Sequence, residues 1–333
     1  MTQMGDGISR RDFLRTVGIA AGAAVIGSEL REPAYAQEAG EPTRVVRVTR
    51  TQAIVDAEVQ PQVVTHMVDE VVTALTGEAD ADAAWSSLFS PEDVVGIKIN
   101  CLGAPGIYTR REVVDAIAAG VQRVGVPADN IIIWDRPQQH LLRLGDIYAI
   151  QTGPGVKCYA SDTPEVGGYA DEVESYGGVE TRLPLILKER ITALVSTPVL
   201  KHHNAAGVTI ALKNHLGSVQ NPNRFHPNHC VAVGDLNTAP TIVEKTRLIV
   251  CDALRGTFDG NASFSGPQTL FEPRAVLASL NSVAMDVVGR EMIDAERAER
   301  NLPPVGDRAV HVDRAAELGL GPSSLDEIEL VEI

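Results

Sequence analysis

Apolar residues recur along this chain in two rhythms. Val63, Val64, Met67, Val71, Val72 and Leu75 fall on one helical face and stop at Gly77, a helix with a glycine end. Asp93–Asn100 (DVVGIKIN) runs apolar with little alternation until Lys98, and Asn130–Asp135 (NIIIWD) does the same, so both predict buried strands. Arg111–Val124 lies between them at helical spacing. Strand, helix, strand is a βαβ unit, which requires a parallel pair and a right-handed crossover. Further strands are expected at Val45–Val48, Ile191–Ser196, Arg247–Asp252, Arg274–Leu280 and Glu327–Glu332, and helices at Val283–Arg297 and Ala309–Glu317. Residues 136–182, rich in Gly, Asp and Tyr, predict a loop-rich insertion outside the sheet. The expected fold is α/β: a mostly parallel β-sheet flanked by helices, forming a single large domain over residues 44–333.

The first thirty-six residues break both rhythms. Ser9-Arg10-Arg11-Asp12-Phe13-Leu14 sets a twin-arginine pair ahead of a short apolar run, Val17–Ile26, and Ala34-Tyr35-Ala36 supplies a small-x-small exit. That anatomy is an export signal, and it resembles those of the twin-arginine pathway. The run is about half the ~20 residues that a membrane span needs. The expected product is periplasmic or otherwise extracytoplasmic, cut after Ala36. Residues 37–43 form a polar, flexible mature start, and no later segment is long and apolar enough to span a membrane. Export of folded protein is most useful when a cofactor is inserted first, which hints at one.

The net charge of −15 stays with the mature chain, because the four basic and four acidic side chains of the signal cancel. Such a surface repels nucleic acid and anionic lipid, and excludes both as general partners. Cys101, Cys158, Cys230 and Cys251 have no C-x-x-C spacing, so an iron–sulfur cluster is not expected from this chain.

Open parallel sheets bind ligands beyond the carboxyl ends of their strands. The polar residues expected at those ends are Asn100 and Cys101, Asp135 and Arg136, Lys201, His202 and His203, and Asp252. Histidine gives a second cluster: His202, His203, His215, His226 and His229 lie within 28 residues, followed by Cys230. Neutral imidazoles and a thiolate suit a transition metal ion, although the spacing matches no fixed metal signature. Lys201 and Lys213 flank small and amide residues, among them Asn214, and form a cationic patch on an acidic chain, suited to a small anionic ligand. With only six lysines in the protein, Lys98, Lys201 and Lys213 in these segments are notable. No G-x-S-x-G, G-x-G-x-x-G or Walker loop is present, which argues against a serine hydrolase, a classical dinucleotide enzyme or an NTPase.

VVGIKINC, NIIIWDR, STPVLKHHNAAGVTIALKNHLG, RLIVCDALRG and AVLASLNSVAMDVVGREM follow one another in the order of the family catalogued as domain of unknown function 362, which the chain resembles. Lys201-x-His203 followed by Ala211-Leu212-Lys213-Asn214 is the most specific part. Some relatives append ferredoxin-like cysteine clusters, and this chain lacks those cysteines. The layout is also similar, as an arrangement only, to the nickel-pincer lactate racemase family.

These residues predict an exported enzyme with a metal or metallo-cofactor, doing redox or proton-transfer chemistry on a small anionic substrate. In that reading His203, Asp135 and Lys213 are catalytic, while Lys98, Asn100, Lys201, Asn214 and Asp252 bind the cofactor or substrate. His202, His203, His215, His226, His229 and Cys230 are the candidate metal ligands. The competing expectation is a non-catalytic metal- or anion-binding protein that serves a partner.

Overall fold

Strands rich in Ile and Val divide their side chains between two faces, and this alternation builds the fold. The computed structural model describes residues 42–333; the predicted signal, residues 1–36, and most of 37–43 lie outside that range. Ile131 and Ile133 face one hydrophobic layer while Ile132 and Trp134 face the other. The strands of the main sheet are β1 (Thr43–Thr49), β2 (Val95–Lys98), β3 (Ile131–Asp135), β4 (Lys157–Ala160), β5 (Ala193–Ser196), β6 (Val199–His203), β7 (Thr246–Thr257), β8 (Ala275–Ser279) and β9 (Ile328–Glu332). Their order is β9-β1-β8-β7-β5-β2-β3-β4, with β6 also paired to β7. Every pairing among these strands is parallel except those of β8, which runs against both β1 and β7.

The main helices are α1 (Pro61–Thr76), α2 (Ala81–Leu88), α3 (Arg111–Arg123), α4 (Ala211–Asn214), α5 (Ser282–Glu299) and α6 (Val310–Glu317). One layer packs α1, α2 and α3 on the sheet through Met67, Val71, Trp85 and Ile117. The other packs α5 and α6 through Val287, Ile293 and Val312. Local signals set the helix ends. Gly77, at φ 72°, closes α1, and Asp80 Oδ1 accepts from Ala83 N at 2.9 Å to open α2. Asn281 Oδ1 accepts from Val283 N and Ala284 N to open α5. Gly120 lets α3 close on Trp85, since a Cβ there would lie 2.2 Å from the indole. Truncating the buried Trp85 to Ala costs about 3–5 kcal/mol.

The expected α/β architecture is therefore found, with two differences. The 136–182 segment is loop-rich as predicted, yet it also supplies β4, which pairs with β3 and forms one sheet edge. Lys201, His202 and His203 do not follow a strand but lie inside one, β6. The chain leaves β5 at Ser196, turns at Thr197–Pro198 and continues beside the far half of β7. That second step carries Lys201 and His203 beyond the ends of β2 and β3. Among the described residues, no helix is long and apolar enough to cross a membrane.

Candidate active site

Lys98 closes β2 and Asp135 closes β3 on the neighbouring strand, so the two side chains meet at the carboxyl edge. Lys98 Nζ lies 2.7 Å from Asp135 Oδ1 and donates to Ile99 O at 2.5 Å. Asp135 also accepts from Arg136 N at 2.8 Å and Cys101 N at 2.9 Å, and His140 Nδ1 stands 3.6 Å away. The pair is nearly sealed, with Lys98 1% and Asp135 4% exposed. Burial pushes the Asp135 carboxyl up, but the Lys98 charge and hydrogen bond, with the nearby His140, outweigh it and hold it well below the usual range. Asp135 is thus a fixed anion that orients Lys98 and the Cys101 backbone. Gly217 makes room for them, since a Cβ there would lie 2.4 Å from Lys98 Nζ.

A chain of amides connects this pair to β6. Asn214, at the end of α4, donates to Lys98 O at 3.1 Å and to Ser196 Oγ at 3.0 Å. Asn100 donates to Asn214 Oδ1 at 3.4 Å, and its own Oδ1 accepts from Lys201 Nζ at 2.8 Å. Lys201 also donates to Ala262 O at 3.1 Å. It is fully buried, and burial, with the charges of Lys213 and Lys98 opposing Asp135 and Cys101, pushes its ammonium down to about 8. Asp135, Lys98, Asn214, Asn100 and Lys201, read from four separate segments, form one connected network.

His203, Lys213 and Cys230 make the adjoining wall. Lys213 Nζ donates to Cys230 Sγ at 3.1 Å, and the His203 and His226 ring centroids are 6.3 Å apart. His203 Nδ1 accepts from Ala205 N and Ala206 N, which leaves Nε2 as the protonated, donating nitrogen. Burial first, then the charges of Lys213 and His226, push His203 down to about 3, so it is a neutral hydrogen-bond donor. Asn228, His229 and Cys230 all have positive φ (51°, 54° and 65°), a strained turn that carries Cys230 inward while Asn228 and His229 stay exposed.

Other candidates lie apart from this network. His202, on the opposite side of β6 from its neighbours, pairs with Gly260 O at 3.0 Å and faces Asp259. Asp252 sits inside β7 rather than at a strand end. Its oxygens accept from Arg110 N and Leu254 N, which ties down the start of α3. Burial pushes it up to about 6. His215 is fully buried near Lys98 with neither ring nitrogen partnered by protein, and burial pushes it down to about 3. His226 and His229 donate through Nδ1 to Pro222 O and Ala205 O, leaving the Nε2 lone pairs exposed. Among the described residues, no three or more His, Cys, Asp or Glu side chains are grouped to hold a metal ion. Of the donor set predicted from sequence, His203, His226 and Cys230 share the Lys213 wall, whereas His202 and His215 lie in separate surroundings.

Two residues that the sequence reading passed over belong here. Asp286 Oδ1 accepts from Ala211 N at 2.6 Å and Leu212 N at 3.3 Å, capping α4, and burial pushes its carboxyl up to about 7. His311 Nε2 lies 3.8 Å from Asp286 Oδ2, and neither atom has a hydrogen-bond partner. The available signal was an aspartate inside the apolar run Met285-Asp286-Val287-Val288.

A family model described as domain of unknown function (DUF362) matches residues 95–291, more than half of the chain. This protein belongs to the DUF362 family. The matched span runs from β2 into α5 and contains the whole network of Lys98, Asn100, Asp135, Lys201, Lys213 and Asn214. No curated protein matches this DUF362 chain.

Proposed function

We propose that this DUF362 protein is an exported enzyme that binds a small anionic substrate and performs proton-transfer chemistry on it. One observation carries the reading. Lys201 and Lys213 are 0% and 4% exposed, and among the described residues neither is ion-paired to a carboxylate, although the chain carries a net charge of −15. Buried ammonium groups without a countercharge are costly, and an anion bound beside them offsets that cost. Lys201, at about 8, exchanges a proton near neutral pH, and the His203 Nε2–H donates to a developing negative charge. Asn100 and Asn214 hold the lysine in register, while Asp135 fixes Lys98.

Pure binding is the second reading. It requires positive charge but gains nothing from a lysine poised near 8, and this favours the enzyme. The proposal assigns proton transfer to this chain's own residues and runs no step through a metal. The twin-arginine motif and Ala34-Tyr35-Ala36 support the exported location.

The test has two stages. Thermal unfolding at matched ionic strength in phosphate and in a panel of small carboxylates should show at least one anion raising the midpoint well beyond chloride. Incubation of those anions in deuterated water should then show enzyme-dependent deuterium uptake by NMR. Stabilisation without exchange would favour the binding reading. No specific stabilisation by any anion would overturn both.

A further inference from the structure

Cys230 and Lys213 meet in a way the proposed function leaves unused. The sulfur and the nitrogen are 3.1 Å apart, and the two side chains are 0% and 4% exposed. Cys101, Cys158 and Cys251 are equally free and buried, but among the described residues only Cys230 has a lysine nitrogen at hydrogen-bond distance. Burial lifts the thiols of those three, helped by Asp135 at Cys101 and Cys158 and by Asp252 at Cys251. Cys230 differs in having the Lys213 nitrogen as a direct hydrogen-bond partner. Cys230 is in no disulfide, and the Lys213 nitrogen at 3.1 Å is placed to trap an oxidised sulfur.

We propose that Lys213 and Cys230 are a peroxide-responsive crosslinking pair, closing to a sulfur–nitrogen bond between the two side chains. In the first step the Cys230 thiolate attacks one oxygen of hydrogen peroxide. The O–O bond breaks, a sulfenic acid forms on Sγ, and the leaving hydroxide takes a proton from the Lys213 ammonium and departs as water. In the second step Lys213 Nζ, as the free amine, attacks that sulfur. The S–N bond forms, the S–O bond breaks, and the hydroxyl leaves as water with a proton from the amine. Sulfur loses two electrons and the peroxide gains them. Capture of a sulfenic acid by nitrogen is established chemistry for backbone amides, and a positioned amine is the better nucleophile.

Two features of the surroundings favour the closure. Cys230 is buried but directly follows two exposed residues, Asn228 and His229, which brings the sulfur-bearing turn to the surface of the chain. Lys213 acts electrostatically on Asp286 and His311, whose Oδ2 and ring nitrogens are buried without protein partners and so keep free donor and acceptor capacity beside the pair. The crosslink would take Lys213 out of the anion site and reduce anion binding. That consequence rests on the proposed function, whereas the crosslink does not.

The experiment treats the folded protein with hydrogen peroxide, digests it and maps it by mass spectrometry. The expected product joins the peptides carrying Lys213 and Cys230, with the mass of two hydrogen atoms missing, and it disappears after treatment with excess dithiothreitol. Cys230→Ser should abolish it. Lys213→Arg should abolish it too and leave Cys230 as a sulfenic acid trapped by a dione probe. If the arginine variant does not fold, the wild-type map still decides. Wild-type Cys230 that stays reduced, or ends only as open sulfinic or sulfonic acid, would overturn the proposal.

Discussion

Replacing Asp135 with Asn should be among the most damaging single polar changes in this protein. The carboxylate accepts from Lys98 Nζ, Arg136 N and Cys101 N at 2.7, 2.8 and 2.9 Å. An amide keeps one oxygen, turns an NH2 toward donors, and leaves a 1% exposed Lys98 without its countercharge. Removing one member of a buried ion pair costs about 3–5 kcal/mol. Solvent screening reduces this little, because neither partner is exposed. The double variant Lys98→Met, Asp135→Leu should cost less than the two single changes added, with a coupling of about 1–3 kcal/mol. Urea denaturation at neutral pH measures each term, provided the slope with denaturant stays constant. The pH dependence gives a second arm. The native Asp135 carboxyl lies below its unfolded value, so the native state favours the ionised form. Its stability contribution is complete above the unfolded pKa of about 4 and is lost as pH falls below it toward the lower native value. Asp135→Asn should remove that part of the acid limb. A cost under about 1 kcal/mol, with an unchanged acid limb, would refute the buried-pair reasoning.

Other outcomes follow from neighbouring groups. Asp286, pushed up to about 7 in the native state, favours its neutral form there, so its contribution should weaken as pH rises from about 4 to 7; Asp286→Asn should flatten stability-versus-pH curves over that window, and an unchanged slope would count against it. Gly217→Ala places a methyl 2.4 Å from the pinned Lys98 Nζ and should destabilise by about 1–3 kcal/mol in the same urea assay. His215→Phe removes two buried ring nitrogens that lack protein partners and should change stability by less than about 1 kcal/mol, whereas a loss above about 3 kcal/mol would mean those nitrogens are satisfied. Replacing Arg10 and Arg11 with Lys should leave uncut precursor inside the cell by immunoblot; unchanged export would show that the pair is incidental.

The βαβ unit was legible because Ile and Val runs and one amphipathic helix carry it with little ambiguity. Expected Asn130–Asp135 became Ile131–Asp135, and expected Arg111–Val124 became Arg111–Arg123. Strand β6 was hidden because Lys201, His202 and His203 read as polar residues just past a strand end, although all three are buried. Function and burial conflict there, and a hydrophobicity pattern cannot report a strand made of the site itself. Strand β4 was hidden by the glycine-rich segment around it. The structure does bring Lys98, Asn100, Lys201 and Asn214 together, through hydrogen bonds between β2, β6 and α4 that the strand pattern alone did not show. Closeness in sequence does not fix the side of a strand: pleating sends His202 away from Lys201 and His203. Asp252 was taken as a strand end because the strand continues five residues further than its apolar run suggests.

Calorimetric titration of an anion identified by thermal shift, into the wild type and into Lys213→Ala, tests the central claim most directly. The account predicts a loss of about 1.5–3 kcal/mol in binding, the scale of one charge-assisted hydrogen bond, with a much smaller change in unfolding free energy. Wild-type affinity should also fall as pH rises through about 8, because the protonated Lys201 holds the anion. Unchanged binding by a variant that mainly unfolds, with no pH dependence near 8 in the wild type, would contradict the account and leave both lysines as structural groups.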